Sequence, residues 1–181
     1  MASVKIDKYL RLGIGILAVV LVYVLYAGIH QHVVVAGDTA PEFSITADNG
    51  QTVSLPNFGG KLLILNFWAS WCGPCIEETP SLSEFAKEYA DKGVVVLAVS
   101  VDKNPQAYQK FLQKFQPGFL YARNMTVHEE YGTFMYPETY FINSKGKVVW
   151  KIPETPDPES PATLDWTDAK VKKYIESLMN L

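Results

Sequence analysis

Cysteine and histidine are scarce in this 181-residue chain, which contains two of the first and three of the second. Cys72 and Cys75 lie three positions apart, so no disulfide framework can exist beyond this one pair. The formal net charge of −3 offers no basic surface for a polyanion, and no nucleic-acid partner is expected. No internal repeat is found. The 48% of hydrophobic residues argue against disorder and can supply the core of one domain.

Charged residues are absent from a long segment near the N-terminus. Residues 12–29 read LGIGILAVVLVYVLYAGI, and an uncharged helix of this length just crosses a hydrocarbon core of about 30 Å. Lys5, Lys8 and Arg11 precede the segment, whereas no Lys or Arg follows it until Lys61. Because basic flanks stay in the cytoplasm, we predict a cytoplasmic N-terminus over residues 1–11 and one transmembrane anchor over residues 12–29.

A cleaved signal peptide is the alternative, because Val34 and Ala36 loosely fit a small-residue cleavage site. The apolar run is longer than the roughly 7 to 15 residues of a signal peptide's hydrophobic core, and the possible cleavage site lies beyond the end of the run. A buried helix of a soluble protein would have a polar face, which this run lacks. An uncleaved anchor is therefore favoured.

Residues 30–40 are predicted to form a tether, and residues 41–181 a folded domain. At the start of this domain, residues 43–55 alternate in hydropathy around Asn49-Gly50, which predicts a tight hairpin. Residues 61–68 and 94–101 are continuous apolar runs, typical of buried central strands, and each precedes a helical pattern.

The last third of the chain predicts a second hairpin, over residues 139–143 and 147–151, so the sheet should be mixed. A stiff connector and an amphipathic C-terminal helix should follow. The connector is defined by four prolines, Pro153, Pro156, Pro158 and Pro161. The resulting order of elements predicts an α/β domain with helices flanking a central sheet.

Trp71-Cys72-Gly73-Pro74-Cys75 falls at a predicted strand-to-helix junction. This position places the first sulfur beside the N-terminus of a helix, where unpaired N–H groups and a partial positive charge stabilise a thiolate. Lowering a thiol pKa from about 8.5 to about 7 requires about 2 kcal/mol, which a helix terminus can supply. Cys72 is the expected nucleophile, and Cys75, one turn deeper, the resolving thiol.

Half of a zinc site and two inert thiols are the alternatives for this pair. Zinc needs about four ligands, and His30, His32 and His128 are the candidates, two of them in the tether. A covalent haem site would need histidine after the second cysteine, where Ile76 stands. We therefore expect no metal and no cofactor.

Residues 66–75 (NFWASWCGPC), Pro80 and the segment Tyr-Pro-Glu-Thr at 136–139 together resemble the thioredoxin superfamily. Within it, the chain is similar to the membrane-anchored group that includes the DsbE, ResA and TlpA proteins. The likeness runs from about residue 40 to residue 149. It implies a thioredoxin-like α/β fold with a central mixed sheet flanked by helices, an extra N-terminal β-hairpin and an N-terminal transmembrane helix. It also implies a single pass through the bacterial inner membrane, with the domain facing the periplasm or cell exterior.

The resemblance assigns attack to Cys72, resolution to Cys75 and a cis peptide bond facing the pair to Pro137. A simple loop proline is the alternative, since few X-Pro bonds are cis. The residue before a cis-proline can pair its backbone with an extended substrate segment. The predicted substrate-binding residues are Trp71, Gly73, Pro74 and Tyr136.

One departure concerns the aspartate that many thioredoxins carry six residues before the first cysteine, where this chain has Asn66. Glu78 lies three residues after Cys75, on the same helical face, and matches a functional glutamate of ResA-like proteins. If it is buried, its pKa is raised and it can accept the proton of Cys75. From spacing alone, a solvated helix acid is the commoner alternative.

The predicted activity is therefore reduction of protein disulfides outside the cytoplasm. By resemblance, the substrate class is apocytochrome c, and the electrons come from a membrane donor of DsbD or CcdA type. A thiol peroxidase of peroxiredoxin type is one alternative, suggested by residues 37–43 (GDTAPEF). A non-enzymatic copper or haem chaperone, using His30, His32 and the thiols, is the other.

Overall fold

The computed structural model describes residues 2–29, 33–154 and 163–180. The chain divides into two compact units, Met1–Val33 and Val34–Leu181. The first unit contains helix α1 (Ala2–Ile29). Within the described parts of the chain, no helix is both long and apolar enough to cross a membrane. The anchor predicted over residues 12–29 is thus not confirmed by the structure and stays a prediction.

A five-stranded mixed sheet forms the centre of the second unit. Its strands are β3 (Leu62–Trp68), β4 (Val94–Ser100), β5 (Leu120–Arg123), β6 (Glu138–Asn143) and β7 (Val148–Ile152). Their spatial order is β5-β4-β3-β6-β7. β3 is parallel to β4 and antiparallel to β6, so the predicted mixed sheet is confirmed. Every residue of β3 is buried, as its continuous apolar run predicts for a central strand.

The predicted N-terminal hairpin is present, with β1 (Ser44–Thr46) antiparallel to β2 (Thr52–Ser54). Its turn uses Gly50 at a φ of 85°, a conformation that glycine adopts without steric cost. The side chain of Asn49 accepts a hydrogen bond from the backbone of Gln51 at 3.0 Å. Ile45 and Val53 face each other across the pair and are buried against the sheet.

Helices cover the sheet and fix its two apolar layers. They are α2 (Gly73–Tyr89), which continues into a 3₁₀ turn at Ala90–Lys92, then α3 (Pro105–Phe115), α4 (Val127–Glu130) and α5 (Ala169–Leu178). Alternate residues of β3 point to opposite faces. Leu62 and Ile64 pack against Phe85 of α2, whereas Leu63 and Leu65 pack on the side of the hairpin. The side chain of Asn66 therefore points to the face of the sheet that α2 covers.

One segment differs from the sequence prediction. Residues 34–40, predicted as part of a tether, lie on the domain: Gly37 and Ala40 donate backbone hydrogen bonds to Val148 and Gly146 at 2.8 and 2.9 Å. The peptide bond between Ile152 and Pro153, at the start of the proline run, is cis. His30, His32, Pro156, Pro158 and Pro161 lie outside the described residues.

Helix α3 begins at a side-chain cap that can be tested. Asn104 Oδ1 accepts hydrogen bonds from the backbone N–H groups of Gln106 and Ala107, at 2.9 and 3.3 Å. We expect Asn104→Ala to lower the free energy of unfolding by about 1 kcal/mol, because it leaves these donors without the cap. Urea denaturation followed by tryptophan fluorescence measures the change. Asn104→Ser should lose much less, and an equal loss would show that the cap is not responsible.

Candidate active site

The two cysteines form a disulfide between the end of β3 and the start of α2, with an S–S distance of 2.10 Å. Cys72 is the N-cap of α2, and its Sγ accepts a hydrogen bond from the backbone N–H of Cys75 at 3.3 Å. Pro74 stands in the first helical turn, where its missing N–H costs nothing. The helix terminus thus already directs an N–H group at the sulfur that would carry negative charge after reduction.

The peptide bond between Tyr136 and Pro137 is cis and faces this disulfide. The carbonyl oxygen of Tyr136 lies 3.4 Å from Cys72 Sγ. No thiol hydrogen exists in the oxidised form, so this is a contact; the reduced thiol could donate to the same oxygen. The cis geometry that the resemblance implied for Pro137 is therefore observed, and it sets the Tyr136 backbone beside the sulfur.

The surface around Cys72 is largely aromatic. The Trp71 side chain is 67% exposed, and its ring meets that of Tyr136 edge-on at a centroid distance of 6.0 Å. Gly73 and Pro74 are also exposed, whereas Trp68 is buried against Phe111 of α3. The structure therefore brings the four predicted substrate-binding residues together around the disulfide, and their role in binding stays a prediction.

Glu78 lies behind the disulfide and is only 6% exposed. Its Oε1 accepts a hydrogen bond from Asn66 Nδ2 at 3.0 Å, and the same amide donates to Thr139 Oγ1 at 2.9 Å. Burial raises the pKa of Glu78 from 4.5 to about 7, against a smaller lowering by the Asn66 hydrogen bond. Of the two sequence interpretations, the solvated helix acid is thus wrong, because α2 turns this face toward the sheet.

The C-terminal segment closes the far side of this carboxyl. The Trp166 indole and the Leu164 backbone approach it and lower its pKa slightly. The indole N–H makes no hydrogen bond of ordinary geometry with any described residue, so the polar contact is weak. Trp166 is fully buried and packs against Phe85 and Phe141, at centroid distances of 5.4 and 5.9 Å. The main effect of this segment is to exclude water from Glu78.

A small cavity of about 10 Å³ borders both the acid and the disulfide. Cys75, Glu78, Asn66 and Trp68 are among its lining residues. Its volume is about that needed for one water molecule. The Trp68 indole N–H also lacks a partner among the described residues. Cys75 and Glu78 therefore line the same cavity, which is compatible with proton transfer between them.

Asp102 is a site residue that the sequence interpretation missed. Its buried carboxylate accepts hydrogen bonds from Ser70 N at 2.9 Å, Ser70 Oγ at 2.8 Å and Ser100 Oγ at 2.7 Å. These bonds fix the loop between β3 and Cys72. The available signal was topological, because the carboxyl ends of neighbouring parallel strands meet at one edge of a sheet.

A metal chaperone, one of the alternative functions, would need a cluster of ligand side chains. Across residues 2–29, 33–154 and 163–180, no group of three or more His, Cys, Asp or Glu side chains is arranged to hold a metal ion. His128 lies on α4 and meets the Tyr136 ring at a centroid distance of 6.1 Å. It borders the aromatic surface rather than a ligand cluster.

One family model and several sequence relatives match this chain. The family model described as Redoxin matches residues 35–169. The thiol-disulfide oxidoreductase ResA of Geobacillus thermodenitrificans (strain NG80-2) is 32% identical over 160 residues, covering 86% of each chain. The thioredoxin-like protein YneN of Bacillus subtilis (strain 168) is 35% identical over 115 residues, covering 62% of this chain and 68% of its own.

Solved structures agree with the sequence relatives. A protein assigned as the thiol:disulfide interchange protein DsbE, from Chlorobium tepidum, superposes with a TM-score of 0.67 at 27% identity, covering 80% of this chain and 97% of its own. StoA from Bacillus subtilis gives a TM-score of 0.56 at 26% identity, covering 62% and 87%. This chain therefore belongs to the redoxin family, as a thiol-disulfide oxidoreductase that carries its Cys72–Cys75 pair in a thioredoxin-like fold.

Proposed function

We propose that this enzyme reduces disulfide bonds of exported proteins on the outer side of a bacterial cytoplasmic membrane. The observation that carries the proposal is the Cys72–Cys75 pair at a helix N-terminus, with the Tyr136 carbonyl on one side and a buried acid, Glu78, on the other. The pair supplies two electrons, the backbone can hold an extended substrate, and the acid can take a proton.

The reaction begins from the reduced pair. The Cys72 thiolate attacks a substrate disulfide, which forms a mixed disulfide and releases one substrate sulfur as a thiolate. Glu78 then accepts the proton of Cys75, and the Cys75 thiolate attacks Cys72 Sγ. The mixed disulfide breaks, the second substrate sulfur leaves, and the enzyme ends with the Cys72–Cys75 disulfide. The substrate gains the two electrons that the enzyme loses.

The direction of transfer is inferred from the residues between the cysteines. Gly73 and Pro74 form the dipeptide of thioredoxin, whose potential is about −270 mV, against about −120 mV for the oxidant DsbA. A reductant in an oxidising compartment must be supplied with electrons, and we propose a membrane donor of DsbD or CcdA type. Apocytochrome c, with its haem-binding cysteines oxidised, is the proposed substrate class.

The location is proposed from the N-terminal sequence. Residues 12–29 carry no charge, three basic residues precede them, and the next basic residue is Lys61. Such an asymmetry keeps the short N-terminal flank in the cytoplasm and directs the C-terminal remainder of the chain to the outside. On this proposal the domain is held at the inner membrane by a single pass and acts in the periplasm or at the cell exterior.

The midpoint potential tests the direction. The full-length chain in detergent is equilibrated with defined thiol-disulfide buffers, and the oxidised fraction is read by alkylation of the free thiols. A value near or below about −230 mV supports a reductase, whereas a value above about −150 mV would make the protein a disulfide donor.

Location and substrate need separate experiments. Because the chain has only two cysteines, a membrane-impermeant maleimide applied to intact spheroplasts after mild reduction should label Cys72 or Cys75. Labelling that requires lysis would contradict export. Deleting the gene should lower the c-type cytochromes, and normal levels of all of them would contradict apocytochrome c as the substrate.

A further inference from the structure

A buried ion pair lies directly beneath the cis-proline segment. Glu138 follows Pro137 as the first residue of β6, and its Oε1 lies 2.8 Å from Lys151 Nζ on the neighbouring strand β7. The two residues are only 4% and 5% exposed. A charged pair in this position is unusual, because alternating strand positions that face a core are normally apolar.

The carboxylate of Glu138 also connects to the other end of the same segment. Its Oε2 accepts a hydrogen bond from the Tyr140 hydroxyl at 3.1 Å, and this hydroxyl oxygen lies 3.1 Å from Thr133 Oγ1. The Tyr140 hydroxyl also lies 3.3 Å from the Tyr131 carbonyl oxygen, so that oxygen and Glu138 share its single hydrogen, and Thr133 is the donor in the bond with Tyr140. Thr133 and Glu138 bracket residues 134–137, and the Tyr140 hydroxyl therefore links the two ends of the loop that carries Tyr136.

The position of this loop matters because the Tyr136 carbonyl lies 3.4 Å from Cys72 Sγ. Along the chain, one residue, Pro137, separates Tyr136 from Glu138. Without Lys151, an unpaired carboxylate would stand on the residue that follows the cis-proline facing Cys72, and a negative charge in this region would disfavour a thiolate there. Lys151 Nζ also lies 5.2 Å from the centroid of the Tyr140 ring, within the range of a cation–π contact.

We propose that Lys151 is a positioning residue for thiol-disulfide exchange, which acts through Glu138 to hold Tyr136 and Pro137 against Cys72 and to cancel the carboxylate charge beneath them. This inference rests on the exchange chemistry of the proposed function but on neither its direction nor its substrate. It predicts that loss of Lys151 and loss of Glu138 shift the stability of the reduced cysteines in opposite directions, because the two side chains carry opposite charges.

The test measures the equilibrium constant of the full-length protein with glutathione, together with the rate at which reduced Cys72 attacks a small aromatic disulfide at pH 7. Lys151→Met leaves the carboxylate unpaired, so it should disfavour the reduced form and slow the attack, each by roughly three- to tenfold. Glu138→Gln leaves the ammonium unpaired, so it should favour the reduced form by a similar factor. The double variant Lys151→Met/Glu138→Gln should return close to the wild-type values, because both charges are gone.

Three controls distinguish a loss of structural stability from the proposed charge effect on the cysteines. Lys151→Arg keeps the charge and should stay within about twofold of wild type. Lys147→Met removes an exposed lysine near the β6–β7 turn and should change neither quantity. Urea denaturation of each variant reports stability separately, and the double variant serves if a single variant does not fold, because loss of both partners is tolerated better than loss of one.

Opposite shifts for the two single variants, with recovery in the double variant, would establish the proposal. Shifts of the same sign, or a double variant as impaired as the singles, would overturn it and leave the pair a purely structural element. Because a small-molecule disulfide is the probe, either result is independent of whether the protein reduces apocytochrome c.

Discussion

Cys72→Ser is expected to lower disulfide reduction by at least about a thousandfold, because a hydroxyl cannot replace the thiolate nucleophile at neutral pH. Cys72 is the predicted attacking residue, and its contacts support this role: its sulfur accepts the Cys75 N–H at the helix N-terminus and lies beside the Tyr136 carbonyl. Cys75→Ser should behave differently. It should still attack but should not resolve, and a mixed disulfide through Cys72 should accumulate.

Insulin reduction driven by dithiothreitol measures the first effect, and a non-reducing gel after incubation with a protein disulfide detects the second. Ser144→Ala, at the β6–β7 turn and the opposite end of β3 from the cysteines, is the matched control and should keep full activity. If Cys75→Ser lost the attack while Cys72→Ser trapped the adduct, the two roles would be reversed.

The centre of the fold was predictable because its strands are buried on both faces. β3 and β4 appear in the sequence as continuous apolar runs, and the hairpin of β1 and β2 appears as an alternation around Asn49-Gly50. β5 and α4 carry no such signal, since each has four residues and is only partly buried. Short peripheral elements are determined by tertiary contacts rather than by their own periodicity.

The candidate active site, like the fold, was predictable only in part. The cysteine pair follows from a local motif and the cis-proline from the family resemblance, whereas the environment of Glu78 depends on residues distant in sequence. Asn66 reaches Glu78 from β3, and Trp166 reaches it from beyond the proline-rich connector. The spacing of Glu78 from Cys75 gives its helical face but not what covers that face. The pairing of Glu138 with Lys151 depends likewise on the register of β6 and β7.

Glu78→Gln should slow the resolving step by about a hundredfold at pH 7, because Cys75 loses its proton acceptor. In the wild-type protein the pKa of Glu78 is about 7, so the resolving rate should fall as pH decreases through 7 and the carboxylate becomes protonated. The variant should lack this inflection. Glu77→Gln, an exposed neighbour on α2, should keep both the rate and the inflection. Stopped-flow measurement of mixed-disulfide decay across pH 5 to 9 gives the comparison, and an unchanged inflection in Glu78→Gln would assign the proton to another group.

The Glu78 carboxyl should also make the free energy of unfolding of the oxidised protein depend on pH, with stability decreasing as pH rises. Its pKa is raised from 4.5 in the unfolded chain to about 7 in the folded protein, so the folded state binds the proton more tightly. The stabilisation is fully present below about pH 4.5 and is lost as pH rises through 7, which amounts to about 3 kcal/mol. Glu78→Gln cannot ionise and should lack this loss, so its advantage over the wild type should grow between pH 5 and pH 8. Urea denaturation of the two oxidised proteins at several pH values measures this difference. A constant difference would mean that Glu78 is not desolvated, and its role as the proton acceptor of Cys75 would then lose its physical basis.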